Sequence, residues 1–106
     1  LRDFVYVKDI VNVIYWFIKK PRVNGLFNVG SSIPRSFNDL AMHVYRNCNK
    51  KQNIQYTPTP YSIRGQYQYY TKANISKLRK VGYKRDFYSL EEGIDDYISK
   101  LLRKLV

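Results

Sequence analysis

Residues 2–9, Arg2-Asp3-Phe4-Val5-Tyr6-Val7-Lys8-Asp9, form the stretch that decides the fold of this chain. Residues 2–7 are mostly β-branched or aromatic, a composition typical of a buried strand. Asp9 is a suitable N-cap for the apolar helix that follows, which is predicted to run to about Lys20, where Pro21 stops it. A strand-to-helix junction this close to residue 1 leaves no room for neighbouring strands. We therefore expect the chain to begin within a fold whose earlier part lies elsewhere.

The helix predicted after Asp9 is apolar on nearly every side, because residues 10–18 include only one polar residue, Asn12. A helix of this kind is normally covered on more than one face. A single chain of 106 residues has little material for such cover. We expect a further domain or a neighbouring subunit to supply it.

The rest of the chain predicts short strands that alternate with helices. Residues 26–29 and 53–57 are read as strands, and Pro58 ends the second of them. Helices are predicted after the capping pairs Ser36/Asp39 and Ser89/Glu92, and a shorter one from Asn74 to about Gly82. The fold class expected is α/β, as one lobe over residues 1–106 with mixed short strands and helices.

Composition sets limits on the function. The net charge is +11 and the hydrophobic fraction is 44%, as in a basic globular protein. The charge has three readings, in decreasing order of preference: compositional drift towards Lys, Asn, Ile and Tyr, a phosphate-bearing small substrate, and a nucleic acid. The single cysteine, Cys48, favours a reducing compartment. Residues 10–18 are too short to cross a bilayer.

Three patterns suggest catalytic or metal chemistry but are better explained by packing. Tyr15 and Lys19 have the Tyr-x-x-x-Lys spacing of short-chain dehydrogenases, but no glycine-rich phosphate loop precedes them. His43 has no second ligand at metal-binding spacing. Cys48 falls on an apolar stripe. The sequence therefore predicts no catalytic residue, no cofactor-binding residue and no metal ligand in this chain.

Two features are candidates for ligand binding. The guanidinium of Arg2 could grip a phosphate through two hydrogen bonds, although an ordinary ion pair is an equally good explanation. Residues 63–70, with Arg64 and several tyrosines and glutamines, suit a nucleotide base, a sugar and a diphosphate. The same loop would suit single-stranded nucleic acid through stacking, or could simply pack the lobe.

Four motifs occur in an order that resembles the C-terminal lobe of the extended short-chain dehydrogenases. They are Arg2 to Asp9, Gly25-Leu26-Phe27-Asn28-Val29-Gly30-Ser31, Ser36-Phe37-Asn38-Asp39-Leu40-Ala41 and Leu90-Glu91-Glu92-Gly93-Ile94. The resemblance covers the whole chain. It implies a substrate-binding lobe whose N-terminal Rossmann domain is missing from this sequence.

Residues in the middle of the chain resemble the ADP-L-glycero-D-manno-heptose 6-epimerase family more closely. They are Trp16-Phe17, residues 54–58, residues 65–74 and Leu78-Arg79-x-x-Gly82-Tyr83. The resemblance implies that the full-length protein converts ADP-D-glycero-D-manno-heptose to its L-glycero epimer, a precursor of the lipopolysaccharide core. The reaction that the resemblance implies proceeds by transient NADP-dependent oxidation of the substrate at C6. The family is cytoplasmic and homo-oligomeric, usually pentameric, without membrane or nucleic-acid partners.

The resemblance assigns substrate binding to named residues. Arg2 and Tyr67 match the substrate-binding residues of the family's R-D-F-V-Y-V and G-R-Y-Q motifs, and Arg64 and Gln68 are weaker candidates. Gln66 stands where the family usually has Arg, and Arg64 is close enough in sequence to compensate for the lost charge. The catalytic residues and the NADP loop are expected upstream, so this chain alone should be inactive. The alternatives are a lobe of another NAD(P)-dependent sugar-nucleotide epimerase or dehydratase, a small basic nucleic-acid-binding module, and a scaffold that assembles through residues 10–18.

Overall fold

The computed structural model describes residues 1–66 and 69–104. Its helices are α1 (Val7–Ile18), α2 (Phe37–Asn47), α3 (Ser76–Lys80) and α4 (Leu90–Lys104), with a 3₁₀ turn at Tyr61–Ile63. Of the described helices, α2 and α4 lie alongside each other. Helix α1 contacts α4 through the ion pair of Lys8 and Asp96, whose Nζ–Oδ2 distance is 2.7 Å. No helix in the described ranges has the length and apolar character needed to cross a membrane.

The expected mixture of strands and helices is not confirmed. Within residues 1–66 and 69–104, the segments 2–6, 26–29 and 53–57 form no strand. A strand requires a hydrogen-bonded neighbour along its length. The first segment has one isolated antiparallel bridge, in which the backbones of Arg2 and Arg35 exchange hydrogen bonds of 2.8 and 2.7 Å. The described lobe is therefore helical, with long extended connections.

Helix α1 begins earlier than predicted, and Asp9 is not its cap. Tyr6 occupies the N-cap position and makes no side-chain capping bond. Asp9 lies inside the first turn, is 1% exposed, and accepts a hydrogen bond of 2.9 Å from the backbone N–H of Tyr88. Its carboxylate thus ties α1 to the segment before α4. Burial raises its pKa above the ordinary value.

Both predicted capping boxes are confirmed. Ser36 accepts from the backbone N–H of Asp39, whose carboxylate accepts in return from the backbone of Ser36. Ser89 and Glu92 make the same reciprocal pair before α4. Each box satisfies N–H groups that a helix start leaves without partners.

The core lies where α1 and α3 meet the segment before α4. Val13, Leu78 and Tyr83 are each at most 3% exposed, and they are surrounded by partly buried aromatic side chains. Those aromatic residues are Trp16, Phe17, Phe27 and Phe87. Gly82 ends the α3 region with φ +113°, a left-handed conformation that favours glycine.

Candidate nucleotide-sugar site

The N-terminal segment and the end of the tyrosine-rich loop lie side by side. The backbone nitrogen of Leu1 donates to the carbonyl of Tyr69 at 2.8 Å, and the carbonyl of Leu1 accepts from the backbone N–H of Thr71 at 3.0 Å. The backbone N–H of Asp3 donates to the hydroxyl of Thr71 at 2.9 Å. These bonds hold Arg2 beside residues 69–71, the first described residues after the predicted substrate-binding pair 67–68.

The predicted site residues differ in how the structure places them. Arg2 is half-buried, and its guanidinium carbon lies 6.0 Å from the centroid of the Phe37 ring. Arg64 is exposed, and its Nε donates to the carbonyl of Thr59 within its own loop at 2.9 Å. Tyr67 and Gln68 lie outside the described residues. The Arg2 side of the site is therefore built into the lobe, while Arg64 lies on a surface loop.

Asp3 organises this region, although its sequence pattern predicted no role for it beyond its place in the motif. One oxygen accepts from the backbone and hydroxyl of Ser31 at 2.8 and 2.6 Å. The other accepts from the backbone N–H groups of Ser32 and Ala73 at 2.9 and 2.8 Å. We call Asp3 with Ser31, Ser32 and Ala73 the Asp3 clamp. It joins three segments far apart in the chain.

Gly30 is required by the Asp3 clamp. A Cβ atom at this position would lie 2.7 Å from both the Asp3 Oδ2 atom and the Ala73 Cβ atom. That is closer than van der Waals contact allows, and neither neighbour is the free end of a flexible side chain. The neighbouring residue Ser32 takes a left-handed backbone with φ +64° and donates its hydroxyl to the carbonyl of Ala73 at 2.6 Å. The turn at 30–32 is thus shaped around the carboxylate.

The charge of Asp3 is stabilised by its donors. Burial by itself favours the neutral acid, but the hydrogen bonds from Ser31, Ala73 and Ser32 outweigh it and lower the pKa of Asp3. A carboxyl with a lowered folded pKa contributes stability above its unfolded pKa, and that contribution disappears as the pH falls through the folded value.

This shift predicts a specific pH dependence. The free energy of unfolding of the native chain should exceed that of Asp3→Asn most at neutral pH, and the difference should shrink as the pH falls from the ordinary carboxyl value of 3.8 downwards. Urea unfolding at a series of pH values measures it. Asp86→Asn is the matched control, because Asp86 is exposed. A difference between native chain and Asp3→Asn that stays constant down to pH of about 2 would contradict the argument.

A second polar cluster, centred on Arg35, lies next to Arg2. Arg35, whose backbone pairs with Arg2, makes a two-pronged ion pair with Glu91 at the start of α4, and its Nε contacts the Asp39 carboxylate at 3.3 Å. Hydrogen bonding to Glu91, then to Asp39, raises the pKa of Arg35, and the bond to Arg35 lowers the pKa of Glu91. The pKa of Asp39 is lowered first by its hydrogen bonds with Ser36 and then by the one with Arg35. The positive charge of Arg35 is therefore paired with two carboxylates of the lobe itself.

One large cleft of the described lobe is not the predicted site. It has a volume of about 800 Å³, and Arg2 and Arg64 are absent from the described residues that line it. Two of its three arginines already have structural partners: Arg35 pairs with Glu91, and Arg79 donates to the carbonyls of Tyr83 and Arg85 at 2.9 and 2.8 Å. A smaller cleft of about 560 Å³ runs from Ser32 along residues 72–76, next to the Asp3 clamp.

The described residues hold no group of three or more His, Cys, Asp or Glu side chains that could bind a metal ion. Two of the glycines leave no room for a ligand. The space beside Gly30 is filled by Asp3 and Ala73, and a Cβ at Gly93 would lie 3.2 Å from the ring of Tyr6.

The comparison with curated proteins gives one consistent result. Over 98% of its length the chain is 41% identical to ADP-L-glycero-D-manno-heptose-6-epimerase from Fusobacterium nucleatum. The chain is therefore similar to one part of this epimerase. Proteins of the same name from Nitratidesulfovibrio vulgaris and Thiobacillus denitrificans are 42% and 40% identical over 96% of the chain. No family model matches the chain.

The chain spans about a third of the length of these epimerases, 33% of the Fusobacterium protein and 35% of the Thiobacillus one. The resemblance predicted from the motifs is therefore confirmed, for part of a longer enzyme.

Proposed function

We propose that this chain is the nucleotide-sugar-binding lobe of an ADP-L-glycero-D-manno-heptose 6-epimerase. The observation that carries the proposal is the 41% identity to a named epimerase along nearly the whole chain. In the full-length enzyme the reaction is the conversion of ADP-D-glycero-D-manno-heptose to its L-glycero epimer, by transient NADP-dependent oxidation at C6. The chain contributes substrate binding.

The packing of the N-terminal segment supports a shared site for Arg2 and the loop. Because residues 1–3 bond directly to residues 69, 71 and 73, a ligand held by Arg2 lies next to the end of the loop. We propose that Arg2 forms two charge-assisted hydrogen bonds with the diphosphate. We also propose that Tyr67 and Gln68 bind the nucleoside or sugar, as the resemblance implies, and that Arg64 supplies a second positive charge for the phosphates.

The Asp3 clamp has a positioning role in this proposal. It holds the backbone of residue 3 against both the 30–32 turn and residue 73, so that Arg2 cannot move independently of the loop. Side chains that are already fixed in the binding conformation lose less conformational entropy when the ligand binds. Gln66, in the place of the usual arginine, leaves the diphosphate more dependent on Arg2.

We propose that NADP binds to the part of the longer enzyme outside this chain, as the resemblance implies. We propose that this part is an N-terminal Rossmann domain and that the enzyme is a cytoplasmic homo-oligomer. These proposals rest on the resemblance. The chain alone is expected to give no turnover.

A chimera tests the proposal. The chain replaces the matching third of the Fusobacterium epimerase, and the conversion of ADP-D-glycero-D-manno-heptose is followed by separating the two epimers. We expect turnover within about ten-fold of the parent enzyme, because a correctly shaped lobe preserves the position of the substrate. The control is the same chimera assayed with a UDP-hexose. A folded chimera that binds no ADP-heptose, or that prefers the UDP-sugar, would overturn the assignment.

A further inference from the structure

The turn between α1 and residues 26–29 contains Asn24-Gly25, the one asparagine in the sequence that is followed by glycine. An asparagine side chain can be attacked at its Cγ atom by the backbone nitrogen of the next residue, which closes a five-membered ring and begins deamidation. Glycine permits this ring closure best, because it has no Cβ atom to hinder the approach. The other asparagines are followed by Val, Asp, Cys, Lys or Ile. The sequence therefore makes Asn24 the most reactive asparagine of the chain.

The structure leaves both reacting groups accessible to solvent. Asn24 and Gly25 are exposed. Within residues 1–66 and 69–104, no hydrogen bond is made by the side-chain amide of Asn24 or by the backbone N–H of Gly25. A Cβ atom placed at Gly25 would have its closest contact beyond the adjacent residues at 3.5 Å, with the Nζ atom of Lys77, which is an ordinary van der Waals distance. The turn thus has room for the ring and no bond that holds the two groups apart.

The fold also requires the glycine that makes Asn24 reactive. Gly25 has φ +128°, a backbone conformation that side chains of L-residues rarely adopt. A larger residue at this position would strain the turn that carries the chain from α1 into residues 26–29. The glycine of the reactive pair is therefore fixed by the backbone conformation.

Two other asparagines, Asn38 and Asn47, have the opposite arrangement and serve as internal references. The backbone N–H of Asp39, which would attack Asn38, donates to the hydroxyl of Ser36 at 3.0 Å. The backbone N–H of Cys48, which would attack Asn47, donates at 3.0 Å to a carbonyl one helical turn earlier. The side-chain amides of both asparagines also donate hydrogen bonds. Helix α2 thus holds these groups in positions where the ring does not close.

We propose that Asn24 is a site of spontaneous deamidation, at which the chain is converted to aspartate and isoaspartate forms. The backbone nitrogen of Gly25 gives its proton to a solvent base and bonds to the Cγ atom of Asn24. The bond between Cγ and Nδ2 breaks, and the amide nitrogen takes up a proton from solvent and leaves as ammonia. A cyclic imide remains. The proposal does not depend on the proposed function.

Water opens the imide in one of two ways. Cleavage of the bond between the Asn24 Cγ atom and the Gly25 nitrogen gives aspartate. Cleavage of the bond between the main-chain carbonyl carbon of Asn24 and the same nitrogen gives isoaspartate, in which the main chain runs through the former side chain. Both products carry a new carboxylate, and isoaspartate also lengthens the main chain by one atom.

The lengthened chain would disturb the segment that carries Phe27 into the core. The Phe27 ring lies 4.9 Å from the Phe17 ring and 4.7 Å from the ammonium of Lys77, measured to its centroid. The same ammonium donates to the carbonyl of Leu26 at 2.8 Å. An extra main-chain atom just before these contacts displaces them, and closely packed interiors tolerate such shifts poorly. We expect isoaspartate at position 24 to lower the melting temperature by about 3 °C or more, and Asn24→Asp by less than about 1 °C.

The test uses the chimera with the Fusobacterium epimerase, kept folded at mildly alkaline pH. Peptides are analysed by mass spectrometry at intervals, and isoaspartate is labelled with a protein isoaspartate methyltransferase. We expect Asn24 to be converted about ten-fold or more faster than Asn38 and Asn47 in the same molecules, with isoaspartate among the products. Asn24→Gln is the matched control, because it keeps an exposed amide but would need a larger ring. Its peptide should gain no isoaspartate.

Two results would overturn the deamidation proposal. One is conversion of Asn24 no faster than that of Asn38 and Asn47. The other is conversion of Asn24 in the folded chimera that is slower by about ten-fold or more than in the same chimera unfolded in urea, since the fold would then protect the site. Turnover is measured separately. A folded chimera that is deamidated at Asn24 but does not process ADP-heptose would refute the proposed function and leave the deamidation site in place.

Discussion

Asp3→Ala is expected to destabilise the chain by about 3–4 kcal/mol, which for a domain of this size lowers the melting temperature by about 15 °C or more. The substitution removes the acceptor of four hydrogen bonds and leaves the donors of Ser31, Ser32 and Ala73 without a partner. Bonds to a charged acceptor are worth more than neutral ones. Urea unfolding followed by circular dichroism measures the loss.

The Asp86→Ala variant is the control for removing a carboxylate. Asp86 is exposed, and its replacement should change the free energy of unfolding by no more than about 0.5 kcal/mol. The account of the Asp3 clamp would be wrong if the two variants lost the same amount. It would also be wrong if Asp3→Ala left residues 31–32 and 73 as well protected from hydrogen exchange as before.

Arg2→Ala is expected to raise the KM for ADP-heptose in the chimera by about 100-fold. Two charge-assisted hydrogen bonds to a diphosphate contribute about 3 kcal/mol together. Arg2→Lys keeps the charge but not the two-pronged geometry, so an intermediate effect of about ten-fold is expected. Steady-state kinetics with ADP-heptose as the varied substrate measures both.

The fold should survive these Arg2 substitutions, since the bridge to Arg35 is made by backbone atoms. Arg22→Ala removes an equal charge from an exposed position and should leave KM within about two-fold of the parent. If Arg22→Ala and Arg2→Ala weakened the enzyme equally, general electrostatic attraction would explain the effect, and Arg2 would have no specific contact with the diphosphate.

The elements that the sequence predicted correctly are those defined by nearby residues. The capping boxes at Ser36 and Ser89 involve groups three positions apart, so they could be found without knowledge of the fold. The end of α1 before Pro21 is local in the same sense. Helices need no partner elsewhere in the chain for their backbone hydrogen bonds.

Features that depend on distant contacts were missed. Residues 2–7 have the composition of a strand, but a strand needs neighbours, and the described chain offers only the bridge to Arg35. Asp9 was expected as a cap because of its position, whereas its carboxylate bonds to Tyr88, 79 residues away. The role of Asp3 depends on donors 28, 29 and 70 residues away. No local pattern reveals such contacts.

The candidate site was predicted through the resemblance more than through residue chemistry. From residue chemistry alone, a phosphate contact and an ordinary ion pair were equally good explanations for Arg2. The proximity of residues 1–3 to residues 69–73 came from the structure. The sequence contains one local sign of this contact, the Gly30-Ser31 dipeptide of the family motifs. In the structure this dipeptide forms the turn around the Asp3 carboxylate.

Equilibrium binding of ADP-heptose to the chimera, measured by calorimetry with Arg2 and with Arg2→Ala, tests the central claim most directly. The account predicts saturable binding of one ADP-heptose per chain with Arg2 present, weakened by about 100-fold in the Arg2→Ala variant, while Arg22→Ala binds like the parent. Binding of equal strength in all three proteins would contradict the assignment of this lobe as the nucleotide-sugar site.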